Sequence, residues 1–102
     1  MEYRKYPLSV KVNGIRYDEV WIDRHYEAKH SETITDKLIL LLVERLEAED
    51  YEPDLEREDG FSFHVSDLWL DHKPYRVVWV TPPDGSYLGV RTAFRTSQRR
   101  SK

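Results

Sequence analysis

Cysteine is absent and methionine occurs once. The first absence excludes a disulfide framework and any zinc site built on thiolates, and it fits a cytoplasmic protein. Long hydrophobic runs are absent as well. Residues 38–43 form an unbroken apolar stretch of only six residues, far short of the ~20 that a membrane-spanning helix needs. The N-terminal Met-Glu-Tyr-Arg-Lys-Tyr-Pro has no signal-peptide apolar core. No internal repeat and no low-complexity linker divides the chain. The composition therefore predicts a cytoplasmic protein with no membrane partner and no cofactor.

What is present predicts one folded domain. A chain of 102 residues has the length of a single domain. Such a domain buries roughly two thirds of its unfolded surface, enough for one core. Three Trp and seven Tyr exclude a disordered chain. The net charge of −3 argues against generic affinity for nucleic acid, but the charge is unevenly spread. Residues 73–102 carry seven Lys/Arg and one acid, Asp84, whereas the preceding 72 residues carry nine Lys/Arg and 18 acids. An acidic protein ends in a basic hairpin, and a local anion site there is compatible with the overall charge.

Val12-Asn13-Gly14-Ile15 is the clearest turn. Asn and Gly both tolerate positive φ, so the pair predicts a type I′ hairpin. Val12 then pairs with Ile15, Val10 with Tyr17, and Lys11 with Arg16, and the second strand continues through Val20, Trp21 and Ile22. Residues 23–30 read as a short helix with Asp23 as N-cap. A second helix opens at Thr33 with Asp36 three residues on, a capping pattern. Its stripe of Ile34, Leu38, Leu41, Leu42 and Leu46 has helical spacing. Ile39, Leu40 and Val43 widen that face, which fits burial within the domain or a homodimer contact.

Residues 47–60 are acidic, with Pro53 and Gly60, and read as a helix end and a solvated loop. Phe61, Phe63 and Val65 alternate as a strand. Leu68 and Leu70 continue it with the opposite parity, which predicts a β-bulge near Ser66 and Asp67. A turn at residues 71–74 leads into the basic hairpin, and residues 96–102 read as a frayed basic tail. The expected architecture is one α+β domain over residues 1–95. It has an antiparallel sheet with two helices packed on one face, in the order β-β-α-α-β-β-β.

Closing the last hairpin at Thr81 and Ser86 sets Trp79 opposite Leu88, Val77 opposite Val90 and Tyr75 opposite Thr92. With Phe94 these form a core face. The other face then pairs Val80 with Tyr87, Val78 with Gly89 and Arg76 with Arg91, and Arg95 follows. Pairing Leu70 with Tyr75 sets Trp69 opposite Arg76. Like charges directly opposed in a sheet are destabilising. Either a carboxylate such as Glu56 or Glu58 offsets them, or a bound anion does, for which the guanidinium fork is well shaped. Gly89 and Ala93 would leave a shallow groove between Tyr87, Arg91 and Arg95. Arginines beside aromatics are also how single-stranded nucleic acid is held. The plainer alternative is that the Arg stems cover the sheet while their heads stay wet.

Among the histidines, His25 and Lys29 share one face of the short helix and His30 another. The spacing of His25 and His30 does not suit two metal ligands from one helix, so no metal site is expected. Either could act as a general acid or base. Cleavage of RNA needs such groups and cations to stabilise the charge that develops on phosphorus. His64 and His72 fall on a strand face and in a turn.

The short His-Tyr-Glu-Ala-Lys-His helix, the amphipathic helix of residues 34–46, and the strands Lys-Pro-Tyr-Arg-Val-Val-Trp-Val and Tyr-Leu-Gly-Val-Arg-Thr-Ala-Phe-Arg resemble RelE-type toxins. More broadly they resemble the superfamily grouping barnase, EndoU, colicins E5 and D and RelE. The likeness spans about residues 22–95. It implies a small metal-independent endoribonuclease, the toxin of a toxin–antitoxin pair, with RNA as substrate and an antitoxin or other protein as partner. It assigns catalysis to His25, His30, Tyr87, Arg91 and Arg95, and substrate binding to Lys29 and Arg76; Trp69, opposite Arg76 on the same face, is the further substrate-binding candidate. The alternative reading is a non-catalytic protein- or RNA-binding module that uses the same Arg/aromatic face. A third is an assembly protein whose basic hairpin pairs with a neighbour's acidic segment.

Overall fold

A computed structural model describes residues 3–24 and 34–96. Six strands form one sheet in the spatial order β1-β2-β6-β5-β4-β3. They are β1 (Tyr3–Val12), β2 (Ile15–Asp23), β3 (Leu55–Glu56), β4 (Ser62–Leu70), β5 (Lys73–Thr81) and β6 (Leu88–Arg95). A single α-helix, α1 (Asp36–Arg45), lies among the described residues, followed by a 3-10 turn at Leu46–Ala48. This corrects the expected antiparallel sheet under two helices. The sheet is mixed, because β2 and β6 pair in parallel while the other neighbours are antiparallel. The chain leaves β2, passes through α1 to β3 at the far edge of the sheet, and builds inward through β4 and β5 to β6 beside β2. The expected helix of residues 23–30 lies outside the described residues except at its start. Asp23, expected as its N-cap, is instead the last residue of β2.

The Asn13-Gly14 hairpin forms in the expected register. Val12 pairs with Ile15 and Val10 with Tyr17, and Asn13 and Gly14 take φ of 56° and 79°. Asn13 also ties this turn to the segment after α1. Its Nδ2 donates to Tyr51 O at 2.8 Å, and its Oδ1 accepts from Tyr51 N at 2.6 Å.

The cap of α1 is Thr35, whose Oγ1 accepts the Leu38 N–H at 3.1 Å; Thr33 lies outside the described residues. The buried helix stripe is Ile39, Leu42, Val43 and Leu46, an i, i+3, i+4, i+7 pattern. Leu41, expected in it, is 42% exposed. Asp36, in the first turn, accepts hydrogen bonds from Arg4 and from the Tyr6 hydroxyl on β1. That contact ties the first turn of the helix to β1.

The core lies between α1 and one sheet face. Val20, Ile22, Leu88 and Val90 of the central parallel pair are fully buried, as are Val77, Trp79 and Ala93. Each large aliphatic side chain buried there contributes roughly 1.5–3 kcal/mol.

β4 departs most from expectation. It runs from Ser62 to Leu70 in unbroken register with β5, with no bulge, and Leu70 pairs with Lys73. Asp71 and His72 make the turn alone, at φ of 53° and 64°. Asp and His are among the residues that tolerate that region best. His64 therefore faces Trp79 and Ser66 faces Val77, so the polar residues of β4 lie inside and Phe63 and Val65 on the opposite face. The Trp79 indole explains Ser66, since Nε1 donates to Ser66 Oγ at 3.0 Å in the core. His64 stacks flat on the same indole, with centroids 3.8 Å apart. Thr96, expected to open the frayed tail, is instead tied to the sheet, since its N–H donates to Pro74 O at 3.2 Å; residues 97–102 lie outside the described residues.

Candidate binding site on the face away from the helix

The face opposite α1 carries most of the side chains that the basic-hairpin reading singled out, in a different arrangement. β5 and β6 shift register between Val78 and Trp79. Trp79 pairs with Val90 and Val78 with Thr92, so Arg91 is the extra residue of a β-bulge. A bulge re-aims the side chain it releases from the ladder. Arg91 Nε consequently lies 3.3 Å from Asp23 Oδ2 at the end of β2. Asp23 is only 4% exposed.

The opposed pair of arginines expected from the sequence does not exist. Arg76 pairs with Asp67 on β4 and with Phe94 on β6. Its Nε and Nη2 donate to the two Asp67 carboxylate oxygens at 2.7 and 3.2 Å, and this holds the guanidinium pKa above its ordinary value. The balancing carboxylates are Asp67 and Asp23, not Glu56 or Glu58. Arg95 pairs with Tyr75 on the helix side and lies over its ring at 5.9 Å. Trp69 pairs with Pro74 and is 47% exposed. It borders a separate depression with Arg45, Asp71 and His72. The structure therefore brings Tyr87 and Arg91 together and leaves Arg76, Arg95 and Trp69 elsewhere. His25, Lys29 and His30 lie outside the described residues.

Tyr87 and Arg91 share a cleft of about 290 Å³ with Tyr3, Arg57, Asp59, Phe61, Phe63 and Val80. Each wall has a local cause. Arg57 and Phe61 are placed by a tight turn, in which the Arg57 N–H donates to Phe61 O at 2.8 Å and the Gly60 N–H to Arg57 O at 3.0 Å. Gly60 has φ of 95°, and a Cβ there would meet Pro83 Cβ at 2.7 Å. Glycine thus lets this turn pack on the β5–β6 loop. In that loop Asp84 Oδ1 accepts from the Ser86 N–H and hydroxyl, which lowers the Asp84 pKa and sets the approach to Tyr87.

The Tyr87 ring is held on its other flank. It stacks on Trp21 with centroids 3.8 Å apart and 2° between planes, and Lys5 Nζ lies 4.2 Å from the Trp21 centroid. A Cβ on Gly89 would lie 3.3 Å from Tyr87 Cε1 and 3.0 Å from Val80 Cγ1. Gly89 therefore accommodates the tyrosine ring and does not open the groove expected there. Ala93 is buried on the helix side. Burial pushes the Tyr87 phenol above its ordinary pKa, and Tyr3 and Asp84 push it the same way.

Sequence reasoning missed Tyr3, Trp21, Asp23, Arg57, Phe61 and Phe63 as members of this site. The signal for the phenylalanines was the two-residue Asp71-His72 turn, which places Phe63 on the face away from Trp79. Among the described residues no cluster of His, Asp and Glu is placed to hold a metal ion, and no helix is long and apolar enough to cross a membrane. Comparison with family models, curated proteins and solved structures returns no match to this chain.

Proposed function

We propose that this protein is a non-catalytic binding module that holds single-stranded RNA on the sheet face away from α1. The observation that carries this reading is the cleft itself, where the aromatic rings of Tyr3, Phe61, Phe63 and Tyr87 meet Arg57 and Arg91. Base–aromatic stacking contributes ~1–3 kcal/mol per base and tolerates sequence. Arg57 is paired with Asp59 at 3.0 Å, with both side chains about half exposed. An exposed pair of this kind is worth ~0–1 kcal/mol, so a phosphate can replace the carboxylate through a stronger charge-assisted contact. With two arginines engaged, the affinity should fall with salt at a log–log slope of about −1.4. That shallow slope agrees with a chain whose net charge is −3.

The one phenol assigned to catalysis in the cleft, Tyr87, titrates further from neutrality than a free tyrosine, and so is poorly matched to proton transfer at neutral pH. That favours binding over cleavage. The RelE-like ribonuclease is the second reading. What favours it is that Tyr87 and Arg91, both assigned to catalysis by the resemblance, share one cleft. Fluorescence anisotropy with short labelled single-stranded RNA, followed by gel analysis of the same samples, separates the two. Saturable binding with intact RNA supports the module. Cleavage that Arg91→Ala abolishes moves the protein to the ribonuclease reading. No binding at low salt sinks both.

A further inference from the structure

Resting on the binding-module reading, we infer that the cleft is a pocket for a single unpaired nucleotide, with its base among the rings of Phe61, Phe63 and Tyr87 and its phosphate at Arg57. Three observations converge on this. The first is size. Ligand pockets generally begin near 300 Å³, and a cleft of about 290 Å³ accepts one nucleotide, not a run of stacked bases.

The second is rigidity on the Tyr87 side. Tyr87 is stacked at 3.8 Å on Trp21 and rests over Gly89. A platform already ordered loses little side-chain entropy when a base arrives, so more of the stacking energy appears as affinity. The third is the position of Arg57. Its guanidinium carbon lies 5.8 Å from the Phe63 centroid, so the cation sits beside an aromatic that would touch the base. Its partner Asp59 is an exposed carboxylate on the same turn. A nucleotide phosphate entering there takes over that partner's role without uncovering a buried charge. Arg91, tied to buried Asp23, supplies a second positive charge at the cleft.

A base that stacks on a ring of this cleft must have a free face. A duplex presents neither face. The pocket therefore selects single strands by shape and not by charge.

The test titrates the full chain with adenosine 5′-monophosphate and with ribose 5-phosphate, following the ring protons of Tyr87 and Phe63 by NMR. A labelled single-stranded RNA is run in parallel. The nucleotide should shift both rings and bind at least tenfold more tightly than ribose 5-phosphate. Phe63→Ala should weaken the nucleotide by about 5- to 150-fold, the loss expected for one stacked base. Equal binding of ribose 5-phosphate overturns the inference, since the cleft is then an anion site alone. RNA binding without nucleotide-induced ring shifts overturns it too, while leaving the binding module standing. Failure of the RNA itself to bind removes both.

Discussion

Asp23, the last residue of β2, meets Arg91, which follows the stretch of β6 paired with β2, with Oδ2 and Nε 3.3 Å apart. The Arg91 Nε is itself buried and makes no hydrogen bond. The bulge that carries Arg91 out of the ladder thus delivers it to a carboxylate at ion-pair distance but in poor alignment. Under the binding proposal, a phosphate at the cleft would compete with that carboxylate for the same guanidinium.

Asp23→Asn should accordingly raise affinity for single-stranded RNA several-fold while lowering stability. Asp23 is nearly fully buried, and a hydrogen bond or ion pair involving such a charge is worth ~1–3 kcal/mol when removed. Arg91→Ala should weaken RNA binding. Arg76→Ala should leave it within about twofold of the parent, because Arg76 is committed to Asp67 and counts as a remote site. Anisotropy titrations and urea unfolding of the three variants check this pattern. Equal loss at Arg76 and Arg91 would mean that general positive charge is being read, not the cleft.

Gly60 and Gly14 both have positive φ, 95° and 79°, but only Gly60 is crowded. Replacing either with alanine forces an L-residue into left-handed backbone, at ~1–2 kcal/mol. At Gly60 the new Cβ also meets Pro83 at 2.7 Å, whereas nothing lies within 4 Å at Gly14. Gly60→Ala should therefore destabilise by more than Gly14→Ala in urea unfolding. It should also weaken RNA binding, since the turn it distorts positions Arg57 and Phe61. Gly14→Ala should leave binding unchanged, because its hairpin lies outside the cleft.

The parts of the fold that were legible in the sequence are those fixed by local chemistry. Asn13-Gly14 dictates a turn, and the turn dictates the pairing of Val10 with Tyr17. The α1 stripe was readable in period and, at Ile34, Leu42 and Leu46, in position. Ile39 and Val43 took the places given to Leu38 and Leu41, because six consecutive apolar residues leave the orientation to tertiary packing. The parallel β2–β6 pairing was not legible, since nothing local to either strand marks a neighbour some 70 residues away. β4 misled for a physical reason. Its apolar residues alternate toward the solvent side at Phe63 and Val65, while His64 and Ser66 are buried against Trp79. Hydrophobicity alone put the wrong face inward. Asp71-His72 carried the correct register, but both are non-glycine residues in left-handed backbone, a weaker signal than Asn-Gly. Tyr87 and Arg91 still share one cleft, because Tyr87 lies just before β6 and Arg91 within it. The partner of each arginine did not survive, because a single bulge decides it.

Ser66 tests that account of β4. If its hydroxyl is retained in the core to accept the Trp79 indole N–H, Ser66→Ala should destabilise by ~1–3 kcal/mol, the penalty for stranding a buried donor. Ser66→Thr keeps the acceptor and should recover part of that loss. Urea midpoints measured at neutral pH decide between this and a purely steric role. A steric role predicts that alanine is tolerated and threonine is not.

His64 gives the protein a stability that depends on pH in a defined direction. It is 3% exposed, stacked on Trp79, and its Nδ1 has no hydrogen-bond partner. Burial lowers its pKa below the ordinary 6.5, and the nearby Asp54 carboxylate opposes the shift only in part. The unfolded chain therefore takes up a proton near pH 6.5 that the folded chain refuses. The folded state is favoured fully above that pH and loses stability as the pH falls toward the lowered folded value. The slope in that window approaches ~1.4 kcal/mol per pH unit. His64→Phe retains a flat ring against Trp79 and has nothing to titrate, so it should abolish this part of the slope. The comparison is the change in urea midpoint between neutral and mildly acidic pH for the parent and for His64→Phe. The carboxylates contribute to both chains alike, so the difference between them isolates the histidine. Parallel pH profiles would mean that the imidazole is protonated as readily in the fold as out of it, and that the stack on Trp79 is open to water.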